Sequence, residues 1–248
     1  MAQQTGIIKI KGSVDDLNFY VLNGQHVVRK LGFGFQGEAI RKSPTMVKVR
    51  QNGKEFGHCT QVGKALRMAL RPLYWGHTFT FLHSRVASLC SRLKNLDPEH
   101  PRGERTVGRG LQTQEGQRLF KGFGFTPDCL PDQVLPFPQV YDATAQTLTL
   151  KGVDPKKVRF PEGATHALLQ LLLLDVDFGT LRMAVAEGVP CTLQPQTPKG
   201  DVVLSLETSM AVSHFPMAFL GVRFYVESAE GLLPLKGKQA VGFGAVWV

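Results

Sequence analysis

Three glycines raise the first chemical question. Gly32, Gly34 and Gly37, in KLGFGFQGEAIRK, spell G-x-G-x-x-G after the strand-like HVV. In that pattern the backbone of a glycine turn approaches a dinucleotide pyrophosphate. Such a site also requires a long helix after the turn and an acidic residue about 20 positions on, at a strand end. Only EAIRKS separates Gly37 from Pro44, and Glu55 falls in helical sequence. GFGF recurs at Gly122–Phe125 and GFG at Gly242–Gly244, neither in a phosphate-loop context. The glycine and phenylalanine alternation reads instead as strand edges, with glycine allowing close approach and phenylalanine filling the core.

The remaining catalytic patterns are incomplete. GHCTQVGKA resembles a phosphate loop, but five residues separate Gly57 from Gly63 and Ala65 stands where a hydroxyl should hold magnesium. His58 beside Cys59 evokes a thiol nucleophile and its base, yet neighbours on a helix do not face each other. The other histidines, at 26, 77, 83, 100, 166 and 214, show no metal-ligand spacing. Asp175 and Asp177 share one face of a strand, a pattern compatible with calcium, but further ligands are missing nearby and they read as a strand end. No cofactor, metal or catalytic residue is expected. Cys59, Cys90, Cys129 and Cys191 form no C-x-x-C pair and are too sparse for a disulfide scaffold. They read as reduced thiols in a cytoplasmic protein.

The elements that must position these residues follow from periodicity. GIIKIKG alternates apolar and basic residues and predicts a strand. Asn23-Gly24 between two β-prone runs predicts a hairpin within residues 6–31. Ser43-Pro44 supplies a cap and an N1 proline, a helix start. Val62, Leu66, Ala69, Leu70 and Leu73 form one helical stripe, with Lys64, Arg67 and Arg71 on the opposite face. Leu82, Val86, Leu89 and Leu93 form a second stripe, ended by Asp97-Pro98, and LQTQEGQRLF predicts a short third helix. After Phe125 the pattern becomes β, with about seven strand candidates from QTLTLKG to GKQAVGFGAVWV. The expected fold class is α+β: an N-terminal β-hairpin with helices over 1–125, then an antiparallel sandwich of immunoglobulin-like layout over 126–248. No Cys-Trp-Cys core signature of an antibody domain is present.

Bulk properties narrow the function classes. With 43% hydrophobic and 20% charged residues in 248, the chain is globular in composition. No signal-peptide pattern opens it, and the longest apolar run, LLQLLLLDV, is too short to span a membrane. A soluble, unprocessed protein is expected. Residues 1–125 carry 20 Lys plus Arg against 8 Asp plus Glu, a net of +12, whereas residues 126–248 carry 9 against 12, a net of −3. A basic half suits nucleic acid or an acidic partner.

TGIIKIKG, FYVLNGQHVVRK, RQNGKEFGHCTQVGKALRMALRPL, GATH and DVDFGTL resemble a family of uncharacterised Bacteroidota proteins. That family typically opens TGIIKLKG, continues through an F-Y-G-R hairpin, and carries an NGxEFG segment before a GKxxR helix. The resemblance spans nearly the whole chain and departs at GHCTQVGKA, where the family has more glycine and arginine. It implies a lineage and a two-part layout and transfers no catalytic residue.

The leading expectation is a non-enzymatic structural or assembly protein that self-associates or docks into a larger complex. Ile7, Ile8 and Ile10 are its candidate assembly strand, with Lys9 and Lys11 facing water or an acidic neighbour. The alternative is a nucleic-acid-binding protein. Arg50, Lys54, Lys64, Arg67 and Arg71 are the candidate contacts to nucleic acid or an acidic partner, although no aromatics interleave with that stripe.

Overall fold

The structure, a computed structural model, describes residues 2–31 and 37–248, the side chain of Ala39 aside. Gly32 and Gly34 of the opening glycine motif lie outside the described residues. The chain divides into two units, Met1–Asn52 and Gly53–Val248.

In the first unit, β1 (Ala2–Gln3), β2 (Gly12–Val14), β3 (Leu17–Leu22) and β4 (Gln25–Lys30) form an antiparallel sheet in the order β1-β4-β3-β2. Asn23 and Gly24 both take positive φ, at 50° and 80°, and join β3 to β4 with Leu22 opposite Gln25. That is the expected two-residue hairpin. The expected strand at GIIKIKG is absent. Residues 4–11 form a loop tied by the Gln4 side chain, whose Oε1 accepts from the Ile10 N–H at 2.8 Å and whose Nε2 donates to the Ile10 carbonyl at 3.1 Å. A local side-chain bond has replaced a ladder. α1 (Gly37–Lys42) follows, and Ser43 then caps a 3-10 turn at Pro44–Met46 that leads into α2 (Val47–Ala69). The division between units falls within α2.

The second unit is built on two long strands. β7 (His166–Asp177) and β11 (Phe215–Ser228) pair antiparallel without interruption from Phe215↔Val176 to Tyr225↔His166. The outer edge of β7 is shared by β8 (Arg182–Glu187) and β9 (Cys191–Leu193). The outer edge of β11 is shared by β12 (Gly231–Pro234) and β13 (Val241–Trp247). β10 (Gly200–Ser205), β6 (Thr147–Val153) and β5 (Gln139–Asp142) make a separate sheet in that order.

Side-chain alternation sends the two faces of the central sheet into different cores. Leu169, Leu171, Leu173, Leu220, Val222 and Phe224 pack on the small sheet, with Leu148, Leu150 and Leu204. Leu172, Leu174, Val176, Met217 and Phe219 pack on the helices. Those helices are α2, α3 (Leu82–Lys94), α4 (Val107–Gln112) and α5 (Gln114–Lys121). Their stripes Val62/Leu66/Leu70 and Val86/Leu89/Leu93 are almost wholly buried. A short α6 (Pro131–Val134) connects to β5.

The fold is α+β, as expected, but the main sheet is a middle layer rather than half of a free-standing sandwich. The position 125/126 lies inside the second unit, because the helices before it and the strands after it share one core. The charge step is therefore also a difference between layers: residues 53–125 hold 12 Lys plus Arg against 5 Asp plus Glu.

The late GFG segment shows what its glycines do. A Cβ on Gly242 would stand 2.2 Å from the Cys129 carbonyl oxygen, so only glycine admits that chain segment. Thr126 Oγ1 accepts from the Phe243 N–H at 3.0 Å and donates to the Cys129 carbonyl at 2.7 Å. Phe125 and Phe243 then meet with centroids 5.4 Å apart, each also touching other aromatic rings.

Leu171 and Leu172 are adjacent, fully buried and on opposite faces. Each single change to alanine is expected to cost about 3 kcal/mol of unfolding free energy in urea titrations. A cost below about 1 kcal/mol at either one would mean that its face is not a packed core.

Candidate functional site: a groove between two helices

α2 and α3 lie against each other at small residues. A Cβ on Gly63 would be 3.4 Å from Val86 Cγ1 and 3.7 Å from the Ala87 nitrogen. With the apolar stripes turned to the sheet, a groove remains on the outer side. Phe56, Thr60, Gly63 and Arg67, at i, i+4, i+7 and i+11, form one wall. His83, Ser84, Ala87, Ser88 and Ser91 form the other, around about 630 Å³. Hydroxyls line the middle, Arg67 and His83 mark one end, and Phe56 marks the other.

The predicted contact residues meet different fates. Lys54 and Lys64 are exposed, Arg67 is half-buried beside the groove, and Arg71 lies exposed over the Trp75 ring, 4.5 Å from its centroid. Arg50 belongs to the first unit and is occupied there. Its Nη1 donates to the carbonyls of Ile40 at 2.7 Å and Ser43 at 2.9 Å, so it serves a local turn. Ile7, Ile8 and Ile10 are exposed, the first two at 103% and 82%. Sequence reasoning missed the aromatics. Phe56, Trp75 and Phe81 are 62–68% exposed and Met68 is 57% exposed. Apolar residues near an amphipathic helix are assigned to its core by default, and here the outward phase of Phe56 with Thr60 and Arg67 was the signal.

GHCTQVGKA lies wholly within α2, so no phosphate loop exists there. His58 Nε2 accepts from the Val107 N–H at 3.2 Å, which places its proton on Nδ1 and ties the start of α4 to α2. Burial pushes the Cys59 thiol up to about 11 and the Cys90 thiol to about 12, so both stay protonated.

A buried charge cluster holds the far end of the groove. Glu55 is the only acidic residue between Glu38 and Asp97, and it is buried. Its Oε1 accepts from Arg105 Nε at 2.8 Å and from the Gly103 N–H at 2.7 Å. Its Oε2 accepts from Arg105 Nη2 at 2.9 Å and pairs with Lys94. One carboxylate thus joins α2, the end of α3 and the loop before α4. The Arg105 guanidinium holds the Glu55 carboxyl well below the usual range, against burial, with Lys94 and the Gly103 N–H adding to the effect. Asp97 does similar work for that loop. It accepts from the N–H groups of Glu99, His100 and Thr106 at 2.9, 3.2 and 2.7 Å. Burial raises its pKa, but these bonds outweigh burial and the net shift is downward.

A second, polar cavity of about 480 Å³ lies between α4 and the end of β7. His100 and His214 line it, each with Nδ1 on a buried carboxylate: Asp97 at 3.0 Å and Asp175 at 3.2 Å. Asp175 also accepts from the Ser213 and His214 N–H groups, and Asp177 from the Gly179 N–H and the Thr180 hydroxyl. The two aspartates therefore anchor loops at a strand end. Among the described residues no cluster of three or more His, Cys, Asp or Glu could hold a metal ion, and no helix is long and apolar enough to cross a membrane.

Both Glu55 and Asp97 have lowered folded pKa values, so the stability they contribute is complete above the unfolded carboxylate values near about 4. It is lost as pH falls below them toward the folded ones. Unfolding free energy should thus fall steeply below about pH 4.5. Glu55→Gln should cost about 3 kcal/mol at pH 7, since it leaves the buried Lys94 and the partly buried Arg105 without their carboxylate, and should flatten the acid slope. Urea titrations at pH 7, 5, 4 and 3 check both; an unchanged slope would mean the cluster does not set the acid limit. Comparison with known protein families, curated proteins and solved structures finds no match for this chain.

Proposed function

We propose that the protein is a non-enzymatic docking component of a larger assembly, and that the outer face of α2 and α3 receives an acidic segment of a protein partner. The observation that carries this reading is the company the exposed aromatics keep. Phe56 and Arg67 line one groove, and Trp75 lies under Arg71. Large apolar and aromatic side chains beside unpaired cations are the composition of interface anchors, with aromatic residues and arginine enriched at hot spots. Lys64, Arg67 and Arg71 have no carboxylate partner among the described residues, so an acidic partner fits their charge. A single-stranded nucleic acid is the second reading. Trp75 and Phe56 would stack bases while the cations and hydroxyls meet phosphates.

The loop that carries Ile7, Ile8 and Ile10 supports self-association of the first unit. Burying three isoleucines contributes on the order of 5–8 kcal/mol before ordering costs. Because β1 pairs with β4, substitution tests this better than truncation. Changing Ile7, Ile8 and Ile10 to serine should shift the protein to smaller particles in sedimentation velocity. A wild-type chain that already sediments as a monomer at micromolar concentration, in low and high salt, would remove self-association.

The basic outer face is tested by charge reversal at two exposed positions outside the groove lining, Lys64→Glu with Arg71→Glu. Binding of a fluorescein-labelled oligoglutamate peptide should weaken by about tenfold or more, with an unchanged melting temperature. Equal binding by variant and wild type would remove the face as a docking surface. An oligo-dT strand, titrated in parallel at two salt concentrations, separates the readings. Tighter binding of the DNA, with about two charges of salt slope lost on reversal, would favour nucleic acid.

A further inference from the structure

A third cavity, separate from the groove, opens beside the start of α3. It measures about 590 Å³ and is bordered by the His77–Leu82 segment, Arg85, the Phe125–Asp128 segment, and Gly237 with Lys238. That volume falls in the range of small-molecule sites, which are mainly apolar with a few convergent polar groups. The apolar wall is rigid. Phe79 packs edge-on to Tyr74 at 5.7 Å and to Phe243 at 6.1 Å, and Phe125 is fully buried against Phe120, Phe219 and Phe243. Phe81, two-thirds exposed, also borders the cavity.

The polar part is cationic and under-compensated. Arg85 enters no ion pair among the described residues. Its Nη2 donates to the Gly124 carbonyl, its Cζ lies over the Phe123 ring, 5.4 Å from the centroid, and its Nε is buried without a hydrogen-bond partner among the described residues. These contacts fix the guanidinium without neutralising it, and a guanidinium beside aromatic walls gains from a negative charge brought to its remaining donors. Lys238, on the opposite lip, likewise has no carboxylate within ion-pair distance among the described residues. The His77 ring meets Phe79 at a tilt of 57° with centroids 4.5 Å apart, and Thr78 and Thr80 add hydroxyls. Asp128 is the one acidic residue of the lining and leaves the cations in excess.

We propose that this cavity binds a small aromatic anion, its planar body against Phe79 and Phe81 and its carboxylate or sulfonate between Arg85 and Lys238. The site does not depend on the α2/α3 groove, which is lined by different residues.

Two probes that differ in one group test it: anilinonaphthalene sulfonate and its uncharged counterpart phenylnaphthylamine, both read by fluorescence on the intact chain. The sulfonate should bind with a stoichiometry of one. Arg85→Met with Lys238→Met should weaken it by about tenfold or more, the value of one charged hydrogen bond, and should change the neutral probe less than about twofold. Lys238→Met alone, on a surface loop, should weaken the sulfonate about threefold and keeps the test valid if the Arg85 variant does not fold. The K64E/R71E protein should bind the sulfonate like wild type. An unchanged sulfonate affinity in the Lys238 variant, equal losses for both probes in the double variant, or loss of binding in the K64E/R71E protein would each overturn the proposal. The last outcome would move the probe to the face that carries Lys64 and Arg71.

Discussion

The pairing of β7 with β11 is the constraint on which the second unit depends. Eleven consecutive residue pairs keep the two strands in one register, from Phe215↔Val176 to Tyr225↔His166. A slip by one residue would send every leucine of one core into the other. The faces are not interchangeable: one meets aliphatic strands of the small sheet, the other meets helices and a cluster of phenylalanines. Register, helix docking and the position of the small sheet are thus one decision made by the same backbone ladder. The groove and the cavity beside α3 inherit their geometry from it, because α2 and α3 are placed by what their inner stripes cover.

Much of this was legible in the residues. The stripes of α2 and α3 followed from spacing alone, as did the Asn23-Gly24 hairpin and most strands after residue 146. What periodicity could not reveal was which layer each element joins. HALLQLLLLDVD is apolar without alternation, and such a run announces burial on both sides without saying against what. Helices before Phe125 and strands after it look like two domains to any reading that follows the chain, since a shared core is made of contacts distant in sequence. The GIIKIKG segment failed for a local reason: alternation is only a strand signal while nothing competes, and the Gln4 side chain competes.

The candidate site was half visible. Lys64, Arg67 and Arg71 were found because cations on a helix are conspicuous. Phe56, Trp75 and Phe81 were not, because an apolar ring carries no mark of which way it points until its neighbours are placed. Glu55 stood in plain sight as a lone carboxylate in a long basic stretch. Its isolation was the sign that it answers several cations at once. The groove consequently borrows its rigidity from a charge cluster buried under one end, while its lining is mostly neutral around Arg67.

The arrangement of β13 sets an order of events for a chain leaving the ribosome. Phe243 and Ala245 belong to the same core as Leu66, Leu70 and Phe125, and Thr126 bonds to the backbone of Phe243, 117 residues later. The helices emerge first, and their apolar stripes have no complete floor until β7, β11 and finally β13 have been synthesised. At a rate of about 5–20 residues per second the helical layer waits roughly 6–25 seconds for that last strand. During that interval the α2 and α3 stripes are the surfaces a chaperone would meet, and the last strand to arrive is the one that releases them.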